Sequence, residues 1–266
     1  DMPPLMNIMT ALLLAFCVGL GLSAIEGTTL KRASEDFRDI MTKLISKVIV
    51  PLLPLHIFGI FLNMTVTGQV ASVMSVFLKI IVVIFILHVV LLVVQFIIAG
   101  VIGHKNPFKL LGNMLPAYFT ALGTQSSAAT IPVTLQQTIK NGVSSNIATF
   151  VIPLCATIHL SGSTMKIVAC SMAVLLMNGL GIDFASYVGF IFMLGITMVA
   201  APGVPGGAIM AALGVLEGFL GFGEMEQALM IALYIAMDSF GTACNITGDG
   251  AIAVIIDRIA SNKKQE

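Results

Sequence analysis

The chain has 266 residues, of which 58% are hydrophobic and 10% are charged, and its formal net charge is zero. Soluble domains carry about 25% charged residues, and the mean hydropathy of this chain is +1.03. The composition excludes an ordinary soluble domain, offers no basic excess for nucleic-acid binding, and indicates an integral membrane protein in contact with lipid. Because an apolar segment follows almost directly after Asp1, we expect a fragment of a longer protein.

Three apolar stretches in the first part of the chain are candidate membrane crossings. They cover residues 9 to 24, 44 to 64 and 76 to 103, and each approaches or exceeds the roughly 20 residues that a bilayer requires. They lack period-2 alternation, which favours helices over a membrane barrel. The sequence therefore predicts an all-α polytopic membrane protein in which residues 1 to 106 form scaffold-type helices.

The basic residues predict the orientation. They cluster before the second crossing, after the third and near the C-terminus: Lys31, Arg32, Arg38, Lys43, Lys47, Lys105, Lys109, Arg258, Lys263 and Lys264. By the positive-inside rule these loops are cytoplasmic. We expect a multi-pass protein of the inner (plasma) membrane with a cytoplasmic tail at residues 259 to 266.

From residue 107 onward, the apolar segments are interrupted. The interruptions are TALGTQSSAATIPV (120 to 133), CATIHLSGST (155 to 164) and MVAAPGVPGGAIM (198 to 210). Irregular backbone at membrane depth is tolerated where protein buries it or a cavity adjoins it. A hairpin at about 107 to 139 precedes a broken helix, and a second at about 184 to 222 precedes a polar-faced last helix. This repetition is typical of a transporter, and we predict a transport core over residues 107 to 258.

The last helix carries a polar stripe. At 100° per residue, Asp238, Thr242, Asn245 and Asp249 share an arc of about 60°. A buried ionised carboxylate costs several kcal/mol unless it is paired or binds a cation. The partner is therefore Lys166, a substrate ammonium or a bound metal ion. The alternative is a polar seam between helices without a ligand.

The stretch QSSAATIP precedes a short helical arm. Free N–H groups and the positive helix end near Ser126 and Ser127 favour a carboxylate. An ordinary helix cap is the alternative. The Gly/Pro break and the acidic stripe elsewhere in the core favour a binding site.

Four stretches together resemble the dicarboxylate/amino acid:cation symporters, the glutamate transporter homologues. TALGTQSSAATIPVTL, CATIHLSGST, APGVPGGAIM and MDSFGTACNITGDG occur in the order, and at about the spacing, of that family's two hairpin tips and two unwound helices. The resemblance runs from Pro3 to the end and corresponds to the C-terminal two thirds of such a transporter. It implies an inverted-repeat, elevator-type homotrimer with two re-entrant hairpins, which is not an enzyme and uses sodium ions rather than a cofactor.

The resemblance also implies a substrate site. Seven residues would surround an amino acid: Ser126, Ser127, Val204, Asp238, Gly241, Thr242 and Asn245. The two serines and the asparagine would meet its α-carboxylate, and the aspartate and threonine would hold its ammonium. The valine, in the second hairpin tip, would cover the site from outside.

Two sodium sites follow from the same resemblance. Their ligands, mostly backbone carbonyls, would come from Cys155, Thr157, His159, Ser161, Met198, Val199, Ala201, Asn245 and Asp249. Asp249 would ligate one ion, and the second hairpin tip with Thr157 would form the other site. Hard cations prefer such carboxylate and carbonyl oxygens.

The sequence departs from the family at the residue before Thr242. Members that transport acidic substrates usually carry an arginine there, which pairs with a side-chain carboxylate; this chain has Gly241. We therefore predict a small neutral amino acid such as serine, threonine or alanine as the substrate. The alternative is symport of acidic amino acids or C4-dicarboxylates with sodium or protons.

The broken helix departs as well. The family pattern is Asn, Met, Asp, Gly, Thr, whereas this chain reads HLSGS from His159 to Ser163, so Ser161 replaces an acidic ligand. Lys166 follows at membrane depth. We hypothesise that Lys166 replaces one bound cation, so that fewer sodium ions are coupled, or that protons are used through His159. The alternative is that Lys166 extends to a membrane interface.

Two rival functions remain at this point. An intramembrane aspartyl protease needs two carboxylates about 3 Å apart, whereas Asp238 and Asp249 are separated by roughly 16 Å of helix. The second rival is a channel-like or non-transporting scaffold, which would differ from a transporter in whether the hairpin tips move.

Overall fold

The computed structural model describes residues 8 to 44, 47, 48, 50 to 66, 68, 70 to 181, 183 to 201 and 205 to 262. Within these ranges the ordered elements are helices, which confirms the predicted all-α class. They are α1 (Ile8–Ala24), α2 (Thr29–Leu44), α3 (Val50–Val66), α4 (Val70–Gly103), α5 (Pro107–Thr124), α6 (Ser127–Lys140), α7 (Ser145–Ile158), α8 (Ser161–Met177), α9 (Phe184–Val199), α10 (Gly207–Leu220), α11 (Glu224–Ala236) and α12 (Asp238–Asn262).

Among the residues that the structure describes, three helical stretches are long and apolar enough to cross a bilayer. They are Met74–Gly103, Ser145–Met177 and Asp238–Ser261. The first confirms the predicted crossing at 76 to 103. It exposes large apolar side chains such as Leu78 and Phe85, and a surface of this kind suits lipid. The predicted crossing at 44 to 64 is represented by the shorter α3, and residues 45, 46 and 49 lie outside the described part.

The first predicted hairpin is formed by α5 and α6, which pack against each other. Asn106 caps α5 by accepting the Lys109 N–H at 3.1 Å, and Pro107 has the φ that a first helical turn requires. Gln125 ends α5 with φ 53°, and Ser126 then caps α6 by accepting the Ala129 N–H at 3.3 Å. We call Gln125 and Ser126 tip 1.

The second predicted hairpin is formed by α9 and α10, which also pack together. Asp183 caps α9 by accepting the Ser186 N–H at 2.9 Å. Residues 200, 201, 205 and 206 are the described part of the connection between α9 and α10, and we call these four residues tip 2. Gly206 ends tip 2 with φ 73°, a conformation that side chains disfavour.

The predicted broken helix is confirmed. Helix α7 ends at Ile158, His159 leaves helical geometry with φ −95° and ψ 94°, and α8 begins at Ser161. The second interruption lies at Met237, between α11 and α12. The polar stripe is therefore part of a continuous helix rather than an unwound one.

Helix α12 is central and contacts α4, α5, α6, α7 and α8. It approaches α8 closely at Gly162, where an added Cβ would lie 2.6 Å from Cys244 Cβ and 3.0 Å from the Gly241 carbonyl oxygen. This contact places the break in α7–α8 against the polar stripe. Because α12 continues to Asn262, the boundary predicted at residue 258 falls inside a helix, and the predicted domain division stays a prediction.

Candidate functional site

The polar stripe of α12 is buried. Asp238, Thr242, Asn245 and Asp249 all lie in the interior, with the Asp249 side chain fully enclosed. A buried carboxylate requires a partner. The two aspartates obtain theirs from different elements.

Asp238 joins α8 to tip 2. Its Oδ1 lies 3.5 Å from Lys166 Nζ, and its Oδ2 accepts the Gly206 N–H at 2.8 Å. Of the three partners that the sequence left open, the protein itself provides Lys166. The carboxylate is therefore in contact with a cation on one side and with a hairpin tip on the other.

Lys166 lies in the interior with no exposed surface, so the interpretation that it extends to a membrane interface is wrong. Its Nζ donates to the Tyr234 carbonyl oxygen at 3.2 Å and lies 3.3 Å from the centroid of the Tyr234 ring. The ring face attracts the ammonium electrostatically. Two groups of one tyrosine thus hold this cation in addition to Asp238.

Gly241 faces the Lys166 ammonium. A Cβ at residue 241 would lie 3.1 Å from Lys166 Nζ and 3.3 Å from Ser163 Oγ. A long side chain at this position and the lysine would therefore compete for the same volume. The glycine at position 241 and the lysine at position 166 are therefore sterically coupled.

Asn245 forms hydrogen bonds with the first turn of α8. Its Oδ1 accepts the N–H groups of Gly162 at 2.8 Å and Ser163 at 3.2 Å, and its Nδ2 donates to Ser163 Oγ at 3.0 Å. Helix α8 has no side-chain cap of its own, and the first N–H groups of a helix require acceptors. The role of Asn245 at a substrate carboxylate stays a prediction.

Asp249 pairs with a histidine. Its Oδ1 lies 2.8 Å from His159 Nδ1, and His159 Nε2 lies 3.4 Å from Gln95 Nε2. Gln95 also donates to Ser161 Oγ at 3.2 Å. The resemblance implied only backbone groups near His159; the imidazole contact was missed because the two residues are 90 positions apart. The histidine that replaces asparagine in the motif was the signal for it.

The surroundings of Asp249 fit an oxygen-liganded cation in one respect. Its Oδ2 is buried and has no hydrogen-bond partner within the described residues, and such an oxygen is a suitable ligand for a hard cation. Ser161 adds a neutral hydroxyl where the family has an acid. The described part holds no group of three or more His, Cys, Asp or Glu side chains that suits a metal ion.

The other predicted cation ligands lie at the ends of α7 and α9, which contact each other. Met198 and Ala201 are buried, whereas Val199 is exposed. The Thr157 hydroxyl donates to the Leu154 carbonyl oxygen at 2.7 Å, and the Cys155 carbonyl oxygen accepts the His159 N–H at 2.8 Å. Their roles as sodium ligands stay predictions.

The two tips and Asp238 border one cavity of about 210 Å³. Its lining includes Pro54 and Ile57 of α3, Gln125 of tip 1, Pro205 and Gly206 of tip 2, and Asp238. Sequence reasoning missed Gln125 and the contribution of α3. Ser126 caps α6 and Ser127 is buried beside it, while Val204 lies outside the described residues.

Three relatives are similar to most or part of the chain. Excitatory amino acid transporter 1 of Rattus norvegicus is 25% identical over 264 residues, which cover 97% of this chain and 48% of that protein. Excitatory amino acid transporter 2 of Homo sapiens is 29% identical over 164 residues, 61% of this chain and 28% of the relative. Neutral amino acid transporter B(0) of Rattus norvegicus is 28% identical over 159 residues, 58% of this chain and 28% of the relative.

The chain spans about half, or less, of the length of these relatives. By name these relatives are transporters, not enzymes. A family model described as the sodium:dicarboxylate symporter family matches residues 2 to 259. On this match, the chain belongs to the sodium:dicarboxylate symporter family.

Proposed function

We propose that the protein containing this chain is a cation-coupled symporter that binds its solute between tip 1, tip 2 and α12. The observation that carries the proposal is the position of Asp238. This buried carboxylate borders a cavity that both hairpin tips also border. Binding sites for small solutes are concave and contain a few convergent polar groups of this kind.

The first candidate substrate is a small neutral amino acid such as serine, threonine or alanine. Asp238 offers a carboxylate for an ammonium, and Gly241 offers no planar cation for a second carboxylate. The cavity of about 210 Å³ is smaller than the roughly 300 to 1,000 Å³ of drug-sized sites. These features favour a compact solute with one carboxylate.

The second candidate is an acidic amino acid or a C4-dicarboxylate. One observation favours it: Lys166 already places an ammonium 3.5 Å from Asp238, which offsets the charge that would repel a second carboxylate. The names of the relatives include both excitatory and neutral amino acid transporters. Transport measurements therefore have to separate the two candidates.

Sodium is the proposed coupling ion, as the family description indicates. The Asp249 Oδ2, which has no hydrogen-bond partner in the described part of the chain, supports one cation near His159 and Ser161. Lys166 supplies a fixed positive charge within the core, so we propose fewer bound sodium ions than the family pattern implies. Proton coupling through His159 is the alternative.

The remaining features extend the resemblance. We propose re-entrant hairpins, an elevator mechanism, a homotrimer in the inner membrane and a cytoplasmic C-terminus. The α5–α6 and α9–α10 helix pairs support the hairpins, and the exposed apolar surface of α4 supports contact with lipid.

Solute counterflow in proteoliposomes with the full-length protein tests the proposal. The panel contains serine, threonine, alanine, aspartate, glutamate and succinate, each with and without a sodium gradient. Exchange of the neutral amino acids alone is the expected result. Exchange of aspartate or succinate would select the second candidate, and no exchange of any solute would contradict the symporter proposal.

A further inference from the structure

The contacts of Asp238 are made by groups of the chain itself. Oδ2 accepts the Gly206 N–H of tip 2, and Oδ1 lies beside Lys166 Nζ. A hairpin tip, a carboxylate and an ammonium therefore form a continuous connection from tip 2 to α8. An ammonium from a solute is not required to complete it.

The contact of Lys166 with Asp238 is longer than its contacts with Tyr234. A charge-assisted N–H···O contact is usually about 2.7 to 2.9 Å long, whereas Lys166 Nζ lies 3.5 Å from Asp238 Oδ1. The Tyr234 carbonyl oxygen at 3.2 Å and the Tyr234 ring at 3.3 Å are the closer contacts. These two contacts do not depend on Asp238.

The cavity gives a solute access to the same carboxylate. Asp238 is part of its lining, while Lys166 is fully buried and is not. A solute ammonium in the cavity and the lysine ammonium would thus compete for one carboxylate from different sides. Gly241 leaves room for the lysine in this competition, because a Cβ there would lie 3.1 Å from Nζ.

We propose that Lys166 is a built-in counter-ion of Asp238, which a solute ammonium displaces and which keeps the carboxylate paired, with its Gly206 contact in place, when no solute is bound. The inference rests on the proposed transport function and goes beyond it. It assigns Lys166 to the return of the unloaded carrier, a step that net uptake requires and that exchange of solute for solute does not.

The test compares net uptake with exchange for Lys166→Met in the full-length protein in proteoliposomes, using radiolabelled serine and alanine. Methionine preserves the length of the side chain and removes the charge. We expect net uptake to fall at least tenfold while exchange at saturating solute stays within threefold of the unaltered protein. The solute concentration for half-maximal exchange should fall severalfold, because the competing ammonium is absent.

The matched control is Lys79→Met, the same substitution at an exposed lysine on α4, which should change neither rate. If Lys166→Met does not reach the membrane, Lys166→Gln provides the same comparison, because the amide also removes the charge and can still donate to the Tyr234 carbonyl oxygen. Equal loss of uptake and exchange, or no change in their ratio, would overturn the inference. Failure of the unaltered protein to exchange any solute would overturn the proposed transport function and the inference with it.

Discussion

The two carboxylates of α12 lie on one face of the same helix, but their surroundings differ. Asp238 borders a cavity and is 3.5 Å from a lysine. Asp249 is fully enclosed and is 2.8 Å from a histidine. About 16 Å of helix separates them. A loosely paired carboxylate next to a cavity is suited to exchanging partners, whereas an enclosed one with a single free oxygen is suited to a bound cation.

The largest effect is expected for Asp238→Asn. The amide keeps the shape but removes the charge that an ammonium requires, and Lys166 is left as a buried cation without its acidic partner. Because a solute ammonium loses its charged partner, we expect amino acid exchange to fall by roughly 100-fold or more, equivalent to about 2.8 kcal/mol. Counterflow of serine and alanine measures this change.

Asp257→Asn serves as the control, since Asp257 is on the same helix and accepts from Ser144 away from the cavity. Amino acid exchange by the Asp257→Asn variant should stay within about twofold of that of the unaltered protein. Retained amino acid exchange in Asp238→Asn would show that Asp238 does not hold an ammonium. Loss of amino acid exchange with retained succinate exchange would support the dicarboxylate candidate.

Asp249→Asn should act on the coupling ion instead. The substitution removes the charge of the carboxylate whose Oδ2 lacks a partner among the described residues, so the sodium concentration for half-maximal uptake should rise about tenfold, equivalent to 1.4 kcal/mol. At saturating sodium the solute affinity should change little. Uptake measured against sodium concentration and against serine concentration separates these two effects.

His159→Asn should change the half-saturating sodium concentration in the opposite direction to Asp249→Asn. Removing the imidazole frees Asp249 Oδ1, so the half-saturating sodium concentration should fall relative to the unaltered protein. A change in solute affinity at saturating sodium in Asp249→Asn, as large as that in Asp238→Asn, would show that the two regions are not separate. Loss of pH dependence in His159→Asn with unchanged sodium dependence would favour proton coupling.

The sequence predicted the polar stripe of α12 more completely than it predicted the residues that contact the stripe. Helical periodicity is local, so the shared face of the four polar residues followed from their spacing, and the hairpins and the break at His159 followed from Gly, Pro and Ser interruptions. The Lys166 contact was one of three open choices, because distance in sequence does not determine which helix supplies the cation. The imidazole on Asp249 and the proximity of Gln125 to Asp238 depend on packing across long separations, which no local pattern contains.

Gly162→Ala tests the packing that both regions share. An added Cβ would lie 2.6 Å from Cys244 Cβ and 3.0 Å from the Gly241 carbonyl oxygen, so α8 and α12 would have to separate. Overpacking of this kind costs about 1 to 3 kcal/mol. We expect a clear decrease in the melting temperature of the protein in detergent.

The comparison variant is Gly112→Ala in α5, where an added Cβ meets nothing within 4 Å. Alanine is a better helix former than glycine by about 1 kcal/mol, so its melting temperature should be unchanged or higher. Equal melting temperatures for the two variants would mean that α8 and α12 do not approach closely at Gly162.

The smallest effect is expected far from both carboxylates, at the start of α9. Hydrogen bonds from the Ser186 side chain and N–H hold the pKa of Asp183 below its ordinary value of 3.8. A lowered pKa in the folded state stabilises the fold at pH values above the ordinary pKa, and this contribution is lost as the pH falls through the folded value. Asp183→Ala should therefore lower the melting temperature slightly at neutral pH, and the difference should shrink below pH 3.8.

Asp183→Ser separates the cap from the charge. Serine accepts the same N–H group and does not titrate in this range, so its melting temperature should stay near that of the unaltered protein at neutral pH, without the acid-dependent change. Exchange and sodium dependence should be unchanged in both variants, because Asp183 contacts neither region of α12. A change in either transport property would mean that the start of α9 is coupled to tip 2, and the contrast between Asp238 and Asp249 would then extend through the second hairpin.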